Sequence, residues 1–231
     1  MSKAIILAAG IGSRIKGFFN KPKCLIKLGT KKTLLERTYQ NLINSKVNNI
    51  YVVTGYKSSE IKKSLKEKVN FVYYKNYMKT NNLQTLLSVD YLLNEKFICM
   101  FADIVYEKKI LKKLVDNKKM ICLLIDTSNV LEGTMRIKIG KNIIKDIGSH
   151  IPVLEGDGNF IGISKFSKIG ARLLRKYLLK NKYNFKDYYT LALRKMIADG
   201  IKINYIDIKN TFWKEIDTKK DYIDAKKKIK L

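Results

Sequence analysis

Residues 5–14 read Ile-Ile-Leu-Ala-Ala-Gly-Ile-Gly-Ser-Arg, an apolar run that breaks into two glycines and then a cation. A run without polar alternation suits a strand covered on both faces, which places helices on either side of a sheet. Gly10 and Gly12 then fall where the chain must turn tightly and bring N–H groups close to an anion. Arg14 supplies a planar fork of donors, and Lys23 supplies a compact charge after Pro22 has stiffened the approach. Strand, turn and cations together have the chemistry of a triphosphate cradle.

Three other readings of the segment fail on its residues. A Walker loop needs Gly-Lys-Ser/Thr at its end, whereas Gly12 is followed by Ser13 and Arg14. A dinucleotide fingerprint needs a third glycine where Ile15 stands and an acid closing the next strand, where Thr54 and Gly55 stand. A signal peptide needs a longer apolar stretch and a small-residue cleavage site, but this run leads directly into Arg14 and Lys16.

The segment resembles the signature of the nucleotidyltransferases that make activated sugars and alcohols, Leu-Ala-Ala/Gly-Gly-x-Gly-Ser/Thr-Arg followed by Pro-Lys. Here it reads Leu7-Ala8-Ala9-Gly10-Ile11-Gly12-Ser13-Arg14 with Pro22-Lys23. The resemblance implies a Rossmann-like fold and a nucleotide held by Leu7, Ala8, Ala9, Gly10, Gly12, Ser13, Arg14 and Lys23, with Arg14 and Lys23 as catalytic cations.

The chain has 231 residues and no Pro/Ser-rich linker or sustained repeat, so a single nucleotidyltransferase domain over 1–231 is expected. No apolar run approaches the ~18 residues that a membrane span needs, which predicts a soluble protein. Cys24, Cys99 and Cys122 are scattered among apolar neighbours without C-x-x-C spacing. They read as buried thiols of a reducing cytoplasm and not as a metal site. The net charge of +27 suggests an anionic partner. Lysines are dispersed along the whole chain, however, and no RNA-binding aromatic motif accompanies them. A general attraction for anionic substrates is therefore expected in place of specific nucleic-acid binding.

Apolar runs alternate with amphipathic stretches through the first half. Strands are predicted near 3–8, 49–54, 69–74, 97–102 and 120–125, and helices near 33–45, 58–66, 82–94 and 107–116. This alternation implies an α/β fold with a mostly parallel central sheet flanked by helices. Residues 134–139 and 143–147 alternate around Gly140-Lys141-Asn142 and read as an antiparallel hairpin insertion. A strand near 159–164, helices near 167–180 and 187–199, a strand near 203–208 and a helix from about 219 complete the pattern. Asp187 is expected to open the second of these helices and Gly200 to close it.

Chemistry on a nucleoside triphosphate calls for a hard divalent cation, and Mg²⁺ prefers one or two carboxylates plus substrate oxygens. Asp103 follows six apolar residues and would be delivered at the carboxyl edge of the sheet, on the same rim as the cradle; a helix cap is its other reading. Asp217 lies in Trp213-Lys214-Glu215-Ile216-Asp217-Thr218, where an ordinary N-cap is equally available. The family carries one aspartate after a central strand and another in a late Asp-Thr-x-x-Asp segment, and those two hold magnesium. The resemblance therefore assigns Mg²⁺ to Asp103 and Asp217, and the Glu-x-Asp-Thr form of the family's cytidylyltransferases makes Glu215 either a ligand of a second metal or a residue standing behind the first metal's ligands.

For the base, Asn81-Asn82-Leu83-Gln84-Thr85-Leu86 resembles the Asn-Asn-x-x-Ser/Thr-Leu element of bacterial phosphocholine and aminoethylphosphonate cytidylyltransferases. Cytosine offers one amino donor and two acceptors, which Asn81, Asn82 and Gln84 could match, with Thr85 beside them; Asn81 or Asn82 could equally cap the helix. The lysine that relatives place after the hairpin is missing from Ile147-Gly148-Ser149-His150, which leaves His150, Lys138, Glu155 and Asp157 as acceptor candidates. The expectation is a CTP-dependent cytidylyltransferase that transfers CMP to a small phosphorylated acceptor and releases pyrophosphate, whether as monomer or homodimer. A sugar-1-phosphate uridylyl- or thymidylyltransferase and a non-catalytic basic nucleic-acid-binding module are the alternatives.

Overall fold

The computed structural model describes residues 3–15, 17–29 and 31–229. Strand β1 (Lys3–Ala8) is followed by α1 (Leu34–Asn44), β2 (Asn49–Thr54), α2 (Ser58–Leu65), β3 (Asn70–Tyr73), α3 (Asn82–Leu87), β4 (Phe97–Phe101), β5 (Ile104–Tyr106) and α4 (Lys109–Asp116). The second half contains β6 (Ile121–Asp126), β7 (Met135–Gly140), β8 (Ile143–Gly148), β9 (Gly158–Phe166), α5 (Lys168–Lys180), α6 (Thr190–Ala198), β10 (Asn204–Asp207), β11 (Trp213–Glu215) and α7 (Lys219–Lys228).

The main sheet runs β10-β6-β9-β4-β1-β2-β3, with the β7–β8 hairpin attached through β7 to β9. Its β1–β2, β1–β4, β2–β3 and β6–β10 pairs are parallel, whereas β9 lies antiparallel between β4 and β6. The result is the expected α/β fold with a mixed, mostly parallel sheet.

Strand alternation divides the core into two layers. Ile5 and Leu7 of β1, Phe97 and Cys99 of β4, and Ile121, Leu123 and Ile125 of β6 face α3, α5 and α6. Ala4, Ile6, Ile98, Met100, Cys122 and Leu124 face α1, α2 and α4. Consecutive side chains of a strand point to opposite faces, so an unbroken apolar strand fits only a sheet covered on both sides.

A third, smaller cluster lies off the sheet. It joins Ile15, Ile26 and Leu28 of the segment after β1 to Leu34, Val105, Ile216 and Ala225, with Phe19, Phe212 and Tyr222 packed against it.

Several elements differ from expectation. The helix predicted over 82–94 ends at Leu87 and resumes as a single 3₁₀ turn at Asp90–Leu92. That break lets Val89, Leu92 and Leu93 all bury against the same sheet face. Helix α6 begins at Thr190, and Asp187 instead stays in the preceding turn, where its carboxylate accepts from Asn184 Nδ2 at 3.1 Å. Gly200, at φ +82°, closes the helix as expected. Strands β5 and β11 have three residues each, too few to show periodicity, and among the described residues they pair only with each other.

Candidate active site

Parallel register sets the site. Leu7 of β1 pairs with Phe101 of β4, so Ala9-Gly10 and Ala102-Asp103 leave the sheet side by side at its carboxyl edge. Open α/β sheets bind ligands at that edge. The chain turns at Gly12, whose φ is +66°, and then forms a 3₁₀ turn over Ser13–Ile15. A Cβ built on Gly12 would lie 2.7 Å from Lys23 Cγ, so the glycine also makes room for the lysine stem. Gly55 plays a comparable part across the cleft, because a Cβ there would approach Ala9 O to 2.7 Å and the Tyr77 ring to 2.6 Å.

The second half of the site arrives through β11. Its antiparallel pairing sets Glu215 opposite Ile104, and the Ile216 N–H donates to Asp103 O at 2.9 Å. Residues 103 and 217, far apart in sequence, are thereby stitched together by backbone. Thr218 and Asp221 form a capping box at the start of α7. Because Thr218 is the N-cap, the Asp217 carboxylate is released from capping and turns into the cleft. Asp103 is followed by β5 and not by a helix, so its capping alternative also lapses.

Lys23 Nζ lies 3.1 Å from Asp103 Oδ2 and is also ion-paired with Asp217 Oδ1. Arg14 Nη1 holds the other oxygen, Asp217 Oδ2, at 2.7 Å. Burial opposes the Lys23 charge, but Asp103 and Asp217 outweigh it and raise the ammonium pKa above the ordinary lysine value. Glu215 experiences the reverse. Burial, then the like charges of Asp103 and Asp217, push its pKa up to about 8. Carboxylate oxygens of Asp103, Glu215 and Asp217 lie within 4.8 Å of one another. An all-oxygen donor set whose members repel one another fits a hard divalent cation such as Mg²⁺.

These groups line an open cleft together with Leu7, Ala8, Ala9, Gly10, Gly12, Asn81, Asn82 and Thr85. Asn81 is the N-cap of α3, its Oδ1 accepting from Asn82 N at 2.8 Å and its Nδ2 donating to Lys186 O at 3.3 Å. Asn82 Oδ1 accepts from Tyr189 N at 2.8 Å. Structural bonds thus occupy much of both amides.

Gln84 is turned away from the cleft. It is buried, and its Nε2 donates to Lys182 O at 2.6 Å, because the one-residue step from Thr85 rotates it about 100° round α3, off the face that Thr85 presents to the cleft. Ser13 is exposed and does not line the cleft. The four acceptor candidates gather around the β7–β8 hairpin and also lie outside it. Lys138 pairs with Glu155 at 2.6 Å, Asp157 Oδ2 accepts from Ile139 N at 2.6 Å, and His150 Nε2 lies 2.8 Å from Asp146 Oδ2. Each has a local partner on the solvent side of the sheet's antiparallel arm.

Sequence reasoning missed Tyr77, Thr80, Phe101 and Tyr188, which also line the cleft. It missed as well a second hollow sharing Arg14, Glu215 and Asp217 and extending to Asp126, Trp213, Lys214 and Lys220. Trp213 Nε1 donates to Asp126 Oδ2 at 2.7 Å there. The polar residues of Trp213-Lys214-Glu215-Ile216-Asp217 were the available signal, but only the β5–β11 pairing gives them a direction.

All three cysteines are buried and free, and burial raises each thiol pKa, to about 12 for Cys99 and Cys122. No helix among the described residues is long and apolar enough to cross a membrane.

A glycine turn, two cations and a carboxylate cluster at the carboxyl edge of a doubly covered sheet suit the handling of a nucleoside triphosphate. Residues 4–124 match the MobA-like NTP transferase domain, and the chain belongs to that family. It is 28% identical to the CTP:phosphoglutamine cytidylyltransferase of Campylobacter jejuni, over 94% of this chain and 96% of that protein. It is 26% identical to the bifunctional IPC transferase and DIPP synthase of Aquifex aeolicus, over 97% of this chain but 51% of that protein, so it spans about half of that relative. The fold superposes on CTP:phosphocholine cytidylyltransferase from Streptococcus pneumoniae with a TM-score of 0.84 at 23% identity, covering 99% of both chains. The inositol-1-phosphate CTP transferase from T. maritima gives 0.80 at 20% identity, covering 100% of this chain and 98% of that one.

Proposed function

We propose that the protein is a CTP-dependent cytidylyltransferase that transfers CMP to a small phosphorylated acceptor and releases pyrophosphate. The observation that carries the reading is the convergence of Lys23 and Arg14 on Asp103 and Asp217 beside the Gly10–Gly12 turn. The choice of cytidine rests on the near full-length likeness to the Campylobacter jejuni cytidylyltransferase.

In this reading the triphosphate lies along the turn, with Arg14 on the β- and γ-phosphates and Lys23 toward the α-phosphate. The base rests near α3, against Asn81, Asn82 and Thr85. The second hollow takes the acceptor, because it shares Arg14, Glu215 and Asp217 with the cleft. An acceptor phosphate oxygen attacks the α-phosphorus, the α–β bridging bond breaks, and its electron pair leaves on pyrophosphate. No enzyme nucleophile is required, since a phosphomonoester with a second pKa of ~6 is already largely dianionic at neutral pH. Asp103, Asp217 and Glu215 would hold Mg²⁺, which when bound neutralises phosphate charge. The protein supplies positioning and fixed positive charge.

A panel measuring pyrophosphate release from each of the four nucleoside triphosphates, against phosphocholine, phosphoglutamine, glycerol phosphate and hexose 1-phosphates, tests the proposal. CTP paired with a non-sugar acceptor is expected to be fastest. UTP or dTTP with a hexose 1-phosphate would establish the second reading, a sugar-1-phosphate uridylyl- or thymidylyltransferase.

A further inference from the structure

The two halves of the cleft come from opposite ends of the sequence, and no strand of the main sheet joins them. Arg14 and Lys23 ride on the segment after β1, whereas Glu215 and Asp217 ride on β11 and the start of α7. The third core cluster is what they share. Ile15 stands next to Arg14, Ile216 stands between Glu215 and Asp217, and both are buried in it.

At the solvent side this cluster ends in three rings. Phe19, midway between Arg14 and Lys23, meets Tyr222, five residues after Asp217, edge to face at 4.8 Å. Phe18 packs on Phe19 at 4.6 Å and on Tyr222 at 5.8 Å, and Lys219 Nζ sits 5.0 Å from the Phe18 centroid. The Phe18 and Phe19 N–H groups both donate to Ile15 O at 2.9 Å, so the rings are fixed to the turn that presents Arg14. Tyr222 N–H donates to Thr218 O at 3.1 Å, fixing its ring to the first turn of α7 behind Asp217. None of the three rings lines either hollow.

From this geometry we propose that Phe19 and Tyr222 are positioning residues, an aromatic clasp that holds the cationic segment in register with the Glu215–Asp217 arm. They touch no substrate and act through Arg14, Lys23 and Asp217. The inference rests on the proposed nucleotidyl transfer for its kinetic readout but not for its structural one. Aromatic edge-to-face pairs depend on the ring and not on the hydroxyl. Tyr222→Phe should therefore behave like the wild type, while Tyr222→Ala releases the segment.

The test combines steady-state kinetics with hydrogen exchange on the full chain. Tyr222→Ala and Phe19→Ala should each raise KM for the nucleotide and lower kcat/KM about tenfold, consistent with loss of alignment at the phosphates. The double variant should be no worse than the poorer single one, because one clasp is lost in either case. Backbone amides of 17–29 should exchange faster in both single variants, with Tyr222→Phe restored to the wild-type pattern. A fall in kcat at constant KM that is matched by the fall in folded fraction read by circular dichroism would overturn the proposal. So would unchanged exchange over 17–29. Faster exchange over 17–29 in the alanine variants of a chain that shows no turnover with any substrate pair, wild type included, would sink the enzymatic reading while leaving the clasp intact.

Discussion

Lys23 meets two carboxylates at once, and among the described residues its ammonium is the one side-chain group that touches both Asp103 and Asp217. In nucleotidyl transfer such a cation is needed most where charge builds on the departing phosphates, so its removal acts on turnover more than on binding. Lys23→Ala should lower kcat by about 100-fold or more, with a much smaller change in nucleotide affinity read by calorimetry. Glu215 yields a prediction in pH. Its folded pKa is raised to about 8 by burial and by Asp103 and Asp217, whereas an unfolded glutamate titrates near ~4.3. The folded state thus binds the proton more tightly, so this contribution to stability is complete below about 4.3 and is lost as pH rises through the folded pKa. Without divalent cation, the melting temperature should fall across this window by more in the wild type than in Glu215→Gln. Added Mg²⁺ should stabilise the wild type more at high pH than at low pH, because the proton it must displace is already gone. Equal slopes with and without the substitution would remove Glu215 from the cluster.

At the scale of elements, the glycine turn and the start of α7 were both visible as patterns, for different reasons. Gly12 lies between a buried strand and a cation, and a positive φ beside the Lys23 stem explains why glycine stands there. Gly12→Ala should lower kcat/KM at least tenfold while costing about 1 kcal/mol of stability, a figure set by the left-handed backbone; kinetics beside chemical denaturation would separate the two effects. Asp217 was legible as an acid before a helix, but its release from capping required knowing that Thr218 and Asp221 satisfy the helix start by themselves. Strands β5 and β11 escaped notice because three residues carry no periodicity, and their pairing is decided by what lies opposite. Gln84 was drawn toward the base by its amide chemistry. One residue's rotation around α3 sends it instead to Lys182 O.

Over the whole molecule, the net charge of +27 acts as a field more than as a set of contacts. Anionic substrates approaching the cleft should feel it at a distance and lose it to salt, since the Debye length shrinks from ~10 Å at 0.1 M to ~3 Å at 1 M. KM for the nucleotide is expected to rise several-fold between low and high ionic strength with kcat nearly constant; a KM insensitive to salt would show that the dispersed lysines are only solvating. The α/β architecture, the alternation of the longer strands and helices in the first half, and the glycine turn were determined by sequence alone. Each is encoded in local periodicity and in glycines whose conformations few other residues accept. Tertiary structure alone decided where the acids and the second hollow lie. Pairing between β5 and β11 and the small core beneath them join residues more than a hundred positions apart, and no local pattern records which distant segments will share a surface.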